Sequence, residues 1–149
     1  MLAFLMLVAL LPAAAAPLDG FHYLVGTWNC TYVGGSERMP YTNTYAYDLD
    51  GKTLRQFTSS AAGSDEELLA YDSQHSMWTA VVLDEHGDAT VMHAAGGDPN
   101  HIAYTSVYPD ASISTTFDRI SDTKYTLHGS YSVGGKTIAS VDTCVRATP

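Results

Sequence analysis

Two cysteines sit near opposite ends of the chain, and each has a telling neighbour two residues away. Trp28 precedes Cys30, and Arg146 follows Cys144. In an antiparallel strand pair with Cys30 opposite Cys144, the same register places Trp28 opposite Arg146 and Tyr32 opposite Asp142, all on one face. A disulfide and a cation–π contact are then satisfied together. Pairing of the first strand with the last is what closes a sheet into a barrel. The feature constrains architecture far more than function.

Leu2 to Leu11 is almost wholly apolar, and Pro12 to Ala16 supplies small residues. This is the pattern of a secretory signal peptide, with cleavage after Ala15 fitting the small-residue rule. The run is shorter than the ~20 residues a membrane-spanning helix needs. Residues 1–15 are therefore read as signal peptide and 16–149 as one domain, secreted or periplasmic. No later segment is apolar enough for a stable membrane span. Sixteen acidic against seven basic residues give a formal charge of −9. Such a surface repels phosphates and anionic lipid, which excludes nucleic acid as a partner class. Export also suits a disulfide between the two cysteines. Closing so long a loop contributes ~4–5 kcal/mol in the chain-entropy account.

No long segment carries helical periodicity, while turn signals recur along a chain rich in Tyr, Thr, Val and Ser. Pro17 to Tyr23 is predicted as a short helical turn leading into a strand over Leu24 to Val33. Tyr41 to Leu49 alternates, with Tyr41, Asn43, Tyr45 and Tyr47 on one face. Asp50-Gly51 is a two-residue hairpin turn, and Lys52 to Thr58 returns. Ser59 to Asp65 reads as a polar loop. Further strands follow over Glu67 to Asp72, Ser76 to Asp84, Asp88 to Ala94, His101 to Tyr108, Ala111 to Ile120, Tyr125 to Val133 and Lys136 to Arg146. About ten strands with short connections predict a single antiparallel up-and-down β-barrel, which leaves no exposed edge.

Gly26-Thr27-Trp28 on the first strand, after a short helical turn and with Arg146 on the last strand, resembles the calycin superfamily of lipocalins, fatty-acid-binding proteins and nitrobindin-like barrels. The resemblance implies structural roles for Gly26, Trp28 and Arg146, with the Trp closing one end of the barrel and the Arg packing across it. Ten strands are more similar to the fatty-acid-binding or nitrobindin branch than to the eight-stranded lipocalins. Thr115-Thr116-Phe117-Asp118-Arg119, Tyr125-Thr126-Leu127 and Gly134-Gly135-Lys136 also resemble an uncharacterised family of secreted bacterial β-barrels. There are departures. Gly34 to Pro40 is too short for the two-helix lid of fatty-acid-binding proteins, and most Lys and Arg residues fall near predicted turns. A nitrobindin-like chain would bind haem through a late-strand His, for which His128 is the candidate here, although its surroundings differ from that family's.

By strand alternation, Cys30 and Tyr32 share the face of Trp28, and Asp142 and Ser140 share that of Arg146. Ala139, Val141 and Val145 are then expected to face outward, which implies cover by another segment or by a second copy in a homodimer. Asp142 is expected beside the Tyr32 phenol, where burial raises a carboxyl pKa and suits it to proton transfer; the same pair also reads as purely structural. Around His86-Gly87 as a two-residue turn, His93 is expected opposite Ala80, sharing a face with Trp78. The six histidines show no metal-ligand spacing, and there is no nucleophile elbow, phosphate loop or dinucleotide fingerprint. The leading expectation is an exported protein that binds a small apolar or amphipathic molecule, with Trp28, Tyr32, Tyr45, Tyr47, Trp78, His93 and Asp142 as candidate ligand-binding residues and no cofactor. The alternatives are a barrel enzyme of cyclase, isomerase or lyase type using Asp142 and Tyr32, a haem protein using His128, and a domain whose interior is simply filled.

Overall fold

The computed structural model describes residues 17–110 and 112–148, so the signal-peptide reading of 1–15 lies outside the described residues. A 3-10 helix (Pro17–Leu24) leads into ten strands: β1 (Gly26–Gly34), β2 (Glu37–Asp48), β3 (Thr53–Ser60), β4 (Gly63–Asp72), β5 (Met77–Asp84), β6 (Ala89–Ala95), β7 (His101–Tyr108), β8 (Ile113–Ser121), β9 (Lys124–Val133) and β10 (Lys136–Arg146). Each strand pairs antiparallel with its sequence neighbours, and β1 pairs with β10 to close the barrel. The all-β, up-and-down architecture is the one expected.

The closing seam has the expected register: Trp28 stands opposite Arg146, Cys30 opposite Cys144 and Tyr32 opposite Asp142. Cys30 and Cys144 are joined by a disulfide spanning 114 residues of sequence. The Arg146 guanidinium lies 4.8 Å from the centre of the Trp28 ring system. It also donates hydrogen bonds to the carbonyls of Tyr23 and Val25, and so ties the helix exit to the last strand. Gly26 has φ of +119°, and a side chain there would meet the Arg146 Nη1 at 3.1 Å. The Gly-x-Trp pattern thus has a physical cause: the missing Cβ leaves the guanidinium its path to the backbone.

The helix plugs one end. Leu18, Phe21 and Leu24 are its buried side chains. Phe21 meets Trp78 edge-on at 5.3 Å and Phe117 at 6.0 Å. Trp28 donates its indole N–H to the Leu24 carbonyl at 2.7 Å. The Trp28, Trp78, Phe21 and Tyr125 side chains are fully buried and form the packed end of the core.

Turn chemistry explains the hairpins. Lys52 N–H donates to the Leu49 carbonyl around Asp50-Gly51, but Leu49 also takes positive φ and Gly51 N–H donates to the Asp48 carbonyl, so the β2–β3 connection holds four residues, Leu49 to Lys52, rather than the two expected. Two further expectations are corrected. Ser59 to Asp65 is not an extended loop: β3 runs to Ser60, β4 begins at Gly63, and the two meet in register across Ser60 and Gly63. The β5–β6 connection holds three residues rather than two. Asp84 N–H donates to the Asp88 carbonyl, its carboxylate accepts the N–H groups of His86 and Asp88, and Gly87 takes φ of +85°. The added residue shifts the register, so Ala80 faces Met92 and His93 faces Thr79. A one-residue shift moves a side chain to the other face, and His93 does not share the face of Trp78.

On the outer wall, Val33 pairs with Val141, and Val33, Val141 and Val145 are all exposed. The outward orientation expected for Ala139, Val141 and Val145 is the one observed.

Candidate functional site

The end opposite the helix is open, and it leads into a cavity of about 520 Å³. The β3–β4 turn, with Ala62 and Gly63, and the β5–β6 turn, with Glu85 and His86, border the mouth. Phe21, Leu24, Leu54, Leu69, Ile102 and Phe117 form an apolar floor against the helix. Between mouth and floor stands a belt of polar groups that includes Tyr41, Asn43, Tyr45, Asp65, Glu67 and Asp142.

Strand alternation puts these groups there. On β2, Tyr41, Asn43 and Tyr45 follow every second position inward. Asn43 pairs across to Thr58 and on to Asp65, while Tyr45 pairs to Gln56 and on to Glu67. Along β4 the inward series runs from Gly63 at the mouth through Asp65 and Glu67 to Leu69 at the floor. The extension of β4 back to Gly63 is what places Asp65 on the wall.

Three polar clusters are formed. Tyr41 donates its hydroxyl to Asp142 Oδ2 at 2.6 Å. Burial raises the Asp142 carboxyl pKa, and this hydrogen bond holds it back. Tyr45 and Tyr125 hydroxyls lie 2.8 Å apart, and Asn43 donates its amide to them at 3.4 and 3.0 Å respectively. With its nitrogen turned to the two phenols, Asn43 is left with a buried Oδ1 that has no protein partner. Glu67 borders the cavity with no hydrogen-bond partner among the described residues, and burial, with a smaller contribution from Asp65, pushes its carboxyl up to about 7. Asp65 is raised in the same sense by burial and by Asp84.

Tyr32, Tyr45 and Asp142 of the sequence-derived set border the cavity. Tyr32 stands opposite Asp142 along the backbone, but its hydroxyl pairs with Tyr131 at 3.0 Å, and that hydrogen bond, aided by burial, raises its pKa to about 12. The hydrogen-bond partner of Asp142 is Tyr41, so the expected Asp142–Tyr32 pair is replaced by Asp142–Tyr41. Trp28 and Trp78 are packed at the closed end, and Tyr47 donates to the Leu18 carbonyl at 2.8 Å beside the helix. These three and His93 lie outside the cavity lining. His128 is exposed on the outer wall, between Thr116 and Val141. Among the described residues no group of three or more His, Cys, Asp or Glu side chains converges as a metal site.

Sequence reasoning missed Asp65 and Glu67. Their parity with the core residue Leu69 was the available signal.

No protein-family model matches this sequence, and no curated protein matches it. Among solved structures, the chain is similar to an S-type phycobiliprotein lyase, CPES, from Guillardia theta. The TM-score is 0.58 at 14% identity, over 88% of this chain and 92% of that one. At such identity the likeness concerns the fold alone, a closed antiparallel barrel of ten strands.

Proposed function

We propose that this protein is an exported carrier that holds one small amphipathic molecule inside its barrel. The observation that carries the reading is the cavity: about 520 Å³, open at one end, sealed by the helix at the other, with an apolar floor below a belt of polar groups. That volume and that mixture are typical of small-molecule sites. Likeness in fold to a phycobiliprotein lyase supports a ligand-handling barrel. Export rests on the apolar run from Leu2 to Leu11 and on the disulfide, which persists in oxidising compartments.

Native mass spectrometry of protein isolated from its own source tests the reading. A stoichiometric adduct of a few hundred daltons that leaves on unfolding is the expected result. Protein that carries no adduct and takes up none from an extract of the same cells overturns it.

A second reading, catalysis on the held molecule, is favoured by the Tyr41–Asp142 pair, where a buried carboxyl with a raised pKa meets a phenol at 2.6 Å inside the cavity. Loss of turnover in Asp142→Asn with ligand affinity retained supports it, and unchanged turnover removes Asp142 from any such role.

A further inference from the structure

The polar groups bordering the cavity have a consistent chemical sense. No Lys or Arg lines it, and His86, at the mouth, is its only basic residue among the described ones. Against this stand Asp65, Glu67 and Asp142 on the wall and Asp84 and Glu85 near the rim. A ligand carboxylate or phosphate entering here would pass His86 at the mouth and then meet several carboxylates with no Lys or Arg among the described residues. The cavity is therefore unsuited to fatty acids and other anionic amphiphiles.

The carboxylates of Asp65 and Glu67 share the inward face of β4, two positions apart, directly above Leu69. The acceptors do not converge on a point as metal ligands do. They line a strip, which suits an organic cation with its apolar part toward Leu54 and Leu69.

We infer that the cavity takes an amphipathic organic amine, its protonated nitrogen held by Glu67 and Asp65 and its apolar body lying on the floor. The inference rests on the carrier reading and narrows its ligand to a cation. Among the described residues no Lys or Arg borders the cavity beside Glu67. The groups facing it are Tyr45 on β2, Gln56 on β3, Asp65 on its own strand, Val82 and Asp84 on β5, Tyr104 on β7, Tyr125 on β9 and Asp142 on β10. None of these is basic. The bound ammonium stabilises the ionised form of Glu67, so binding releases protons near neutral pH.

Three probes that share one aromatic body give the test: 2-(2-naphthyl)ethylamine, 2-(2-naphthyl)ethanol and 2-naphthylacetate. Their affinities for the full protein are measured by calorimetry at pH 8. The amine is expected to bind at least about tenfold more tightly than the alcohol, with the carboxylate weakest. From pH 8 to pH 6 the amine affinity falls about tenfold as Glu67 takes up its proton, while that of the alcohol stays constant. Glu67→Gln lowers amine affinity about tenfold and leaves the alcohol unchanged. Asp65→Asn gives an independent second variant, and a urea midpoint confirms that each is folded. Equal or tighter binding of the alcohol or carboxylate overturns the inference and leaves the carrier reading standing. Failure of all three to bind at about millimolar concentration also overturns the inference, and the carrier reading is then judged by the adduct mass alone.

Discussion

Arg146 stacks its guanidinium over Trp28 at 4.8 Å and, from the same position, donates to the carbonyls of Tyr23 and Val25. One side chain thus joins the last strand, the first strand and the helix that plugs the barrel. Arg146→Met removes a cation–π contact and two charge-assisted hydrogen bonds, and the expected loss is about 2–4 kcal/mol in urea unfolding. Arg146→Lys keeps the charge but loses the planar fork, so it recovers less than half of that. Wild-type stability in the Lys variant would show that the carbonyl contacts contribute nothing.

Gly26→Ala tests why a glycine precedes Trp28. The new Cβ falls 3.1 Å from Arg146 Nη1 at a backbone φ of +119°. Strain and displacement of the guanidinium together are expected to cost about 1–3 kcal/mol. In Arg146→Met, where the collision is absent, the same Gly26→Ala change should cost less, and a double-mutant cycle reads the difference.

Reduction of Cys30–Cys144 relaxes a loop that spans 114 residues. The oxidised protein is expected to exceed the reduced one, or Cys30→Ser/Cys144→Ser, by about 3–5 kcal/mol in urea midpoint titrations. The register of β1 on β10 should survive in the variant, because β1–β10 backbone pairing and the Trp28–Arg146 contact hold it independently.

The cavity carboxylates predict an unusual pH dependence. Glu67 rises from 4.5 in its ordinary state to about 7 in the fold, and Asp65 and Asp142 are raised too. A raised acid binds more protons folded than unfolded. Its stabilising effect is complete below the unfolded pKa and is lost as pH climbs through the folded one. The ligand-free protein should therefore lose stability between about pH 4.5 and 7, by at most about 3 kcal/mol from Glu67. Denaturation midpoints measured across that window check this. Glu67→Gln flattens the slope and is more stable than wild type at pH 8. A wild-type curve that rises through the window refutes the account.

Phe21 is the stopper of the closed end, 5.3 Å from Trp78 and 6.0 Å from Phe117. Phe21→Ala should cost about 3–4 kcal/mol by leaving a cavity between these rings. It also joins that space to the main cavity, so an apolar fluorescent dye should bind more strongly than in wild type. Unchanged dye binding would mean that the helix closes over the gap.

Much of the architecture was legible because it depends on parity and on turns. Cys30, Cys144, Trp28 and Arg146 pin one register, and an alternating strand then sends Tyr41, Asn43 and Tyr45 inward. The limits of β7 and β10 followed from flanking Pro and Gly. The site was less legible. A polar run from Ser59 to Asp65 has a loop's composition, yet its residues continue two strands along a wall that faces a wet cavity, where polar side chains are at home. His93 was placed on the wrong face because the Asp84 carboxylate stabilises a three-residue turn over the two-residue alternative. The partner of Asp142 was missed because Tyr32 turns over Gly34, where any side chain would collide with its hydroxyl, and reaches Tyr131 instead. Such diagonal contacts depend on barrel curvature, which no short stretch of sequence encodes.

The pairing of β1 with β10 has a bearing on biogenesis. A nascent chain holds nine of the ten strands with two raw edges until Arg146 leaves the ribosome, since the partner of the earliest strand is made last. Native closure thus waits for β10, and loss of its eleven residues, Lys136–Arg146, leaves an open, adhesive sheet rather than a smaller barrel.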